Sequence, residues 1–366
     1  MRVLHVIDHF GLGGAQTLLK NILDSWEDDI IEVYAYSLRK NKNEINLKNK
    51  QRIFRCKTKN IYNIRSLLEL KKLIKEKKID ILHCHLGKSI FFGTMIKILF
   101  DKKIKLVVHE HGRIFKNQFW YNYILNKSQK VVNLYLANSE TTKKKLMENA
   151  GISKEKIKVL YNFVDIEKFN PNALKEYNRD IQRRKLGTEK NDFVIGFVGR
   201  LVKIKGCTDL IKAVNLLVKK NKKIKLLVAG EGSEKNELVN LTKEFNLEKN
   251  VRFLGYVEDI KGFYNCLDVV VIPSHWESFG IVGLEAQAMG VPVIASNVEG
   301  LNEIITDKET GMLFKPKNEK DLAEKIKLVC KNIELRKKLI KNGLENVKTY
   351  TLNEYITKLN KIYKMV

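Results

Sequence analysis

The stretch from Pro273 to Ser296, PSHWESFGIVGLEAQAMGVPVIAS, combines two carboxylates, a glycine-rich turn and a helix start. Glu277 precedes Ser278, a good N-cap, and Glu285 falls about two turns later. At ~100° per residue both carboxylates are expected on one side, facing a single crevice. Phe279, Gly280, Ile281 and Val282 form the expected first helical turn. Its N–H groups lack intrahelical partners and carry the positive end of the helix dipole, so an anion suits that position. Gly290 and Pro292 end the helix, and Val291 to Ala295 reads as a buried strand. In isolation, the same glutamates would better suit an ordinary solvated surface helix, and it is the flanking residues that change this reading.

A basic pair, Arg200 and Lys205, follows the predicted strand Phe193 to Val198 within Gly199-Arg200-Leu201 and Lys205-Gly206. Arg offers a planar fork for two phosphate oxygens and Lys a point charge. Together they could stabilise a departing diphosphate in place of a divalent metal. No D-x-D closes an apolar strand.

The patterns P-S-x-x-E-S-F-G-x-x-x-L-E-A-x-A-x-G-x-P-V-I-A-S and G-R-L-x-x-x-K-G resemble the donor site of family 4 glycosyltransferases, retaining enzymes of the GT-B architecture. The resemblance implies that Arg200 and Lys205 hold the diphosphate of a nucleotide sugar, that Glu285 bonds the ribose hydroxyls and that Glu277 contacts the transferred sugar. His111-Gly112 is similar to the family's H-G, whose histidine contacts the donor sugar. The loop Gly11-Leu12-Gly13-Gly14-Ala15-Gln16 resembles its G-G-A-[EQ] loop, with Gly14 as the contact near the phosphates. Gly230 and Val257 complete the expected donor-binding set. The co-substrate implied is a nucleotide-diphosphate sugar, with a UDP-sugar the first expectation and neither cofactor nor metal required. The acceptor implied is a saccharide or lipid-linked saccharide in bacterial cell-surface polysaccharide or glycolipid assembly. Two segments depart from the family pattern. Val298 to Glu303 stands where Gly-Gly-x-x-Glu is usual, and Phe163 stands at the glycine of Asn-Gly-Val-Asp, which puts the hinge conformation in question. A sugar-nucleotide epimerase or a glucan synthase shares the same shape and is the alternative activity.

With 366 residues the chain can hold two cores, and 44% hydrophobic with 30% charged residues describes a soluble globular protein. Five cysteines without C-x-x-C spacing argue against a disulfide framework and for a cytoplasmic protein. No leader sequence and no apolar run of membrane-spanning length is read.

The formal net charge is +26, concentrated in the first half: residues 1–160 contribute +17 and the remainder +9. Such a surface attracts anions, so an anionic membrane is a candidate partner of the N-terminal domain. A non-catalytic basic anion binder is the alternative from another class, although no nucleic-acid motif accompanies the charge and no nucleic acid is expected. Candidate patches are Lys48 to Lys59 and Arg113 to Lys130. The second mixes Phe115, Phe119, Trp120, Tyr121 and Tyr123 with Lys and Arg, as an interfacial helix or a helix packed on a sheet would.

Six of seven histidines fall in the first half. His83-x-His85 and His109-x-His111 are expected to leave strand ends with both rings on one side, suiting a metal or a hydrogen-bonded polar cluster. Gly87-Lys88-Ser89 imitates the end of a phosphate-binding loop, but Leu82 stands where the motif needs glycine, so a helix start is expected.

Apolar strands alternate with helical patterns throughout, predicting an α/β protein with two Rossmann-like parallel-sheet domains facing across a cleft, the GT-B arrangement. The expected strands are Val3 to Ile7, Ile31 to Tyr36, Ile53 to Arg55, Ile79 to His83, Leu106 to His109, Val131 to Ala137 and Ile157 to Leu160. In the second half they are Phe193 to Val198, Ile224 to Ala229, Val251 to Leu254, Val269 to Ile272, Val291 to Ala295 and Met312 to Phe314. The domains are expected at 1–165 and 191–348, with a linker at 166–190. A C-terminal helix at 349–366 is expected to cross back to the first domain.

Overall fold

The computed structural model describes the chain apart from Leu12, Asp29, Lys42, Asn43, residues 57–63, Arg113, Lys175, Glu176 and the side chains of Ala173 and Leu174. It forms two compact units, Met1–Asn162 with Leu352–Val366, and Phe163–Thr351.

The first unit contains β1 (Arg2–Ile7), α1 (Gly14–Asp24), β2 (Glu32–Ser37), β3 (Ile53–Arg55), α2 (Ile64–Lys77), β4 (Ile81–His85) and α3 (Gly87–Leu99). It continues with β5 (Lys105–Glu110), α4 (Phe119–Ser128), β6 (Leu134–Ala137), α5 (Glu140–Ala150) and β7 (Ile157–Val159). All strands run parallel in the order β3-β2-β1-β4-β5-β6-β7. Helices cover a parallel sheet on both faces, which is why β4 and β6 are buried along their whole length.

The second unit contains α6 (Arg179–Lys185), β8 (Phe193–Val198), α7 (Cys207–Val218), β9 (Ile224–Ala229), α8 (Lys235–Glu244), β10 (Val251–Gly255), α9 (Ile260–Asn265) and β11 (Val269–Ile272). Then follow α10 (Ile281–Ala288), β12 (Val293–Ser296), β13 (Met312–Phe314), α11 (Glu319–Lys331) and α12 (Ile333–Asn346). Its parallel sheet has the order β10-β9-β8-β11-β12-β13. In both sheets the chain winds outward from one strand, returns, and continues on the other side. The reversal falls between β1 and β4 and between β8 and β11, where loops diverge and leave a crevice at the carboxyl ends.

Each expected strand is present, some with shifted ends. The fourth lies at 81–85 rather than 79–83, which places His83 and His85 inside the sheet. The sixth begins at Leu134 because Val131 and Val132 still bond back to Ser128 at the end of α4. Segment 166–190, expected as a linker, belongs to the second unit. Within it, Asn178 caps α6 and the buried Arg183 bonds the carbonyls of Cys266, Lys190 and Asp192 and the Asp268 carboxylate at 2.7 Å. Phe163, at the expected hinge, is buried and has no positive φ.

The last helix, α13 (Leu352–Met365), belongs to the first unit. Tyr355, Leu359, Ile362 and Tyr363 form its buried stripe at helical spacing, and Asn360 bonds Asp28 at 2.9 Å. On α4 only part of the expected aromatic packing occurs. Tyr121 packs against the core, whereas Phe119, Trp120 and Tyr123 are exposed.

Removing one partner of a buried ion pair strands the other charge and its bonded carbonyls. Arg183→Ala is therefore expected to destabilise the second unit by ~3–5 kcal/mol. Urea unfolding of both proteins measures this, and a loss within experimental scatter would show that 166–190 contributes nothing to that unit.

Candidate active site at the strand carboxyl ends

In the second unit, the loops leaving β8 and β11 lock together. The amide of His275 donates to the Ile204 carbonyl at 2.8 Å. Gly206 has φ +66°, and a Cβ there would lie 2.0 Å from the Pro273 carbonyl oxygen, so only glycine allows this approach. The lock brings Lys205 onto Glu277 as an ion pair, with both side chains mostly buried. Ser274 Oγ donates to the same carboxylate at 3.4 Å. Beside them His275 Nε2 meets Asp209 Oδ2 at 2.7 Å. Gly300, at φ +87°, lies against the backbone of Glu277 and Ser278, where a Cβ would meet the Glu277 carbonyl oxygen at 2.4 Å. The unusual segment at 298–303 thus keeps the one glycine that packing demands.

Arg200 leaves the same β8 loop and is exposed, and among the described residues it takes no ion-pair partner. A lone exposed guanidinium beside a paired ammonium is a receptive surface for an anion. Gly230 stands next to this loop, since a Cβ on it would lie 1.9 Å from the Gly199 carbonyl oxygen. Val257, half-exposed, follows the edge strand β10, two strands away from β8.

The helix start differs from expectation. The N-cap of α10 is Gly280 in the left-handed region, not Ser278, because the chain must turn beneath Leu301, whose Cδ2 would lie 2.4 Å from a Cβ at 280. Phe279 therefore precedes the helix and is buried edge-on against Tyr350. Among the described residues the first-turn amides of Ile281 and Val282 take no hydrogen bond, while that of Gly283 donates to the Gly280 carbonyl at 2.8 Å. Glu277 lies outside the helix, so angular counting does not relate it to Glu285. Instead, Glu285 accepts the Tyr264 hydroxyl of α9 at 2.8 Å. Burial pushes its carboxyl up to about 7, with the Tyr264 bond pulling the other way. Tyr264 carries no motif in the sequence, and Ser274, although it stands in the P-S-x-x-E pattern, is not marked by it as a partner of Glu277; the packing of α9 and the β11 loop reveals both contacts.

In the first unit, α1 opens at Gly14, where a Cβ would meet nothing within 4 Å. Packing does not require glycine there. Gly87-Lys88-Ser89 is the start of α3, as expected, and follows Leu86 at φ +69°. Such strain in a non-glycine residue at a strand end often marks a functional loop. Glu110, buried at the end of β5, accepts the Tyr121 hydroxyl, and burial pushes its carboxyl up to about 7. His111 follows it and meets His85 in a cluster with His5, His83 and His109. Two trios of ring nitrogens, from His5, His83 and His85 and from His85, His109 and His111, lie within 4.8 Å of one another and are the metal-capable groups among the described residues.

The description "Glycosyltransferase Family 4" matches residues 12–168, and "Glycosyl transferases group 1" matches residues 178–346. The chain is 30% identical over 294 residues to the capsular polysaccharide biosynthesis glycosyltransferase CapM of Staphylococcus aureus, covering 78% of this chain and 76% of that protein. It is 30% identical to the UDP-Gal:alpha-D-GlcNAc-diphosphoundecaprenol alpha-1,3-galactosyltransferase of Escherichia coli, covering 69% and 67%. The crystal structure of HepE from Anabaena in complex with UDP and glucose superposes with a TM-score of 0.85 over 100% of both chains at 21% identity, a likeness of fold.

The Glu285 carboxyl has a pH signature. Its unfolded value is the ordinary 4.5 and its folded value about 7, so in that window the folded unit holds a proton that the unfolded chain has released. Stability should fall as pH rises through the window and level off above it. Unfolding of wild type and Glu285→Gln at a series of pH values should show the two curves diverging between about 4.5 and 7. Parallel curves would mean that Glu285 is not desolvated.

Proposed function

Because this chain belongs to the family 4, group 1 glycosyltransferases, we propose that it moves a hexose from a UDP-sugar to a saccharide or lipid-linked acceptor with retention of anomeric configuration and without a metal. It is a glycosyltransferase of polysaccharide or glycolipid biosynthesis. The observation that carries the finer reading is the lock between the β8 and β11 loops, which sets the Lys205–Glu277 pair next to the loop bearing exposed Arg200.

Departure of a nucleoside diphosphate concentrates negative charge on the leaving oxygen. Arg200 would take two phosphate oxygens through its fork, and Lys205 would shift part of its attraction from Glu277 to the diphosphate as that charge grows. With these two cations on the diphosphate the leaving group needs no divalent ion. Glu277 remains beside the sugar to accept its hydroxyls, the amides of Ile281 and Val282 face the phosphates, and Glu285 accepts the ribose hydroxyls. Gly230 and Val257 border the nucleotide, and Gly14 leaves space for the donor phosphates. His111, held neutral by burial at a value of about 4, bonds a sugar hydroxyl without titrating.

Retention follows from attack on the same face that the leaving group departs from. A phosphate oxygen then takes the acceptor proton, and the protein's share is orientation and charge stabilisation. Support for a UDP-sugar and a lipid-linked acceptor comes from the E. coli relative, whose donor and acceptor are of those kinds.

Thermal unfolding with UDP, GDP, ADP and CMP, with and without EDTA, tests the donor site. A nucleotide at 100 times its Kd should add ~2.7 kcal/mol. UDP is expected to stabilise wild type regardless of EDTA and to lose that effect in Arg200→Ala. Transfer from a UDP-sugar should fall ~10²-fold or more in Arg200→Ala and in Lys205→Ala. Near-normal turnover in both variants would sink the assignment.

A membrane-facing acceptor agrees with α4. Phe119 is 77% and Trp120 82% exposed, and Phe119 lines a cavity of about 680 Å³ together with Lys116, Asn122, Tyr123 and Asn126. Arg113, Lys57 and Lys59 of the expected basic patches lie outside the described residues. Among the described residues no helix is long and apolar enough to cross a membrane. Co-sedimentation with vesicles containing anionic phospholipid is expected for wild type and to drop severalfold in Phe119→Ser/Trp120→Ser. Equal binding of both would remove α4 from the interface.

A further inference from the structure

Five imidazoles meet across β1, β4 and β5, from His5 and His83 within the strands to His111 just beyond β5. His5 Nδ1 lies 2.8 Å from His85 Nε2, and His85 Nδ1 lies 3.2 Å from His111 Nε2. Ring centroids in these pairs are 5.1 and 5.5 Å apart with interplanar angles of 17° and 21°, so the rings meet edge to edge. His83 covers His85 face to face at 4.4 Å, and His109 covers His111 at 4.3 Å. Each metal-capable trio contains one of these stacked pairs. Stacked rings aim their in-plane lone pairs side by side rather than at one ion, so the cluster is a hydrogen-bonded chain rather than a coordination shell.

The chain has a fixed starting point on α13. The Tyr363 hydroxyl lies 2.6 Å from His83 Nδ1 and 3.1 Å from His5 Nε2. One hydroxyl has one proton to give. Bonds from O–H donors run ~2.5–3.0 Å and those from N–H donors ~2.7–3.2 Å, so the short contact is the phenol donating to His83 and the long one is His5 Nε2–H donating to the phenol oxygen. Burial holds His5 down to about 3 and His83 and His85 well below the ordinary value, so each ring is neutral and carries one N–H. The direction then propagates. His5 Nδ1 accepts from His85 Nε2–H, and His85 Nδ1 accepts from His111 Nε2–H. That leaves His111 Nδ1 bare, and it takes no hydrogen bond among the described residues.

We propose that Tyr363, His5 and His85 are positioning residues that lock His111 in its Nε2–H tautomer, so that Nδ1 is an acceptor for a hydroxyl of the transferred sugar. The sugar contact rests on the donor-site role proposed for His111; the tautomer does not.

The test is long-range 15N–1H correlation of the histidine side chains in the full chain at pH 7, with His111 assigned through His111→Gln. Wild type should show a protonated Nε2 and a bare Nδ1 at His111. Tyr363→Phe should turn this into a mixture of tautomers and slow sugar transfer about fivefold, the scale of one misdirected hydrogen bond. A merely structural role for Tyr363 would lower stability and leave the tautomer unchanged, which would overturn the proposal. A protonated Nδ1 in wild type would overturn it without any variant. Stoichiometric binding of Zn²⁺ that shifts the His85, His109 and His111 resonances together would replace it with a metal centre. The expected tautomer alongside normal transfer by His111→Gln would keep the relay and discard the sugar contact.

Discussion

The candidate donor site depends on one close approach, the Pro273 carbonyl oxygen occupying the space that a Cβ on residue 206 would fill. Parallel strands end with their loops pointing the same way, and at the reversal between β8 and β11 those loops would otherwise diverge. Gly206 lets them close on each other, His275 bonds across, and Lys205 is delivered to Glu277. Gly280 and Gly300 extend the lock by letting the β11 loop fold under Leu301. A side chain at 206 or 300 would push on the backbone of Pro273 or Glu277 and so disturb the pairing of Lys205 with Glu277.

The first unit holds its polar groups differently. Among the described residues no ion pair anchors His111; it sits at the end of a line of neutral rings. Five imidazoles can be buried together only if none is charged, because each cation would raise the cost of the next. Neutrality has a structural consequence. A neutral imidazole must choose a tautomer, and in an unbroken chain one choice fixes all the others. The C-terminal helix makes that choice although Tyr363 lies 358 positions from His5.

Much of the fold was legible because parallel strands buried on both faces are short apolar runs. Phe193–Val198, Ile224–Ala229 and Val269–Ile272 begin and end where the residue types change. Segment 166–190 was misread because its polarity resembles a linker. Arg183 is polar by type but buried by partners, Asp268 and the Cys266 carbonyl, that lie more than 80 positions away. The start of α10 was misplaced for the same kind of reason. Ser278 has good cap chemistry, but Leu301 and Gly300 impose the turn at Gly280, and their arrival cannot be read locally. The partner of Lys205 was likewise hidden: both residues were legible as site candidates, whereas their pairing follows from a loop lock between strands that are neighbours in the sheet but 72 positions apart.

That pairing bears on how a site without a resident metal could handle a diphosphate. An unpaired ammonium in a partly buried loop would be costly to hold in the free protein, and Glu277 offsets this cost while keeping the ammonium in place. Arg200, exposed and without an ion-pair partner among the described residues, needs no such offset because water solvates it. One cation is therefore positioned by a protein carboxylate and the other is solvated. Under the proposed transfer, charge growing on the leaving oxygen would meet Lys205 in its final position. The planar fork of Arg200 would close from solvent, a change of hydration rather than of fold. The glutamate that holds the lysine would then also be the one beside the sugar, so the ion pair would set phosphate and sugar ends of the donor in a single register.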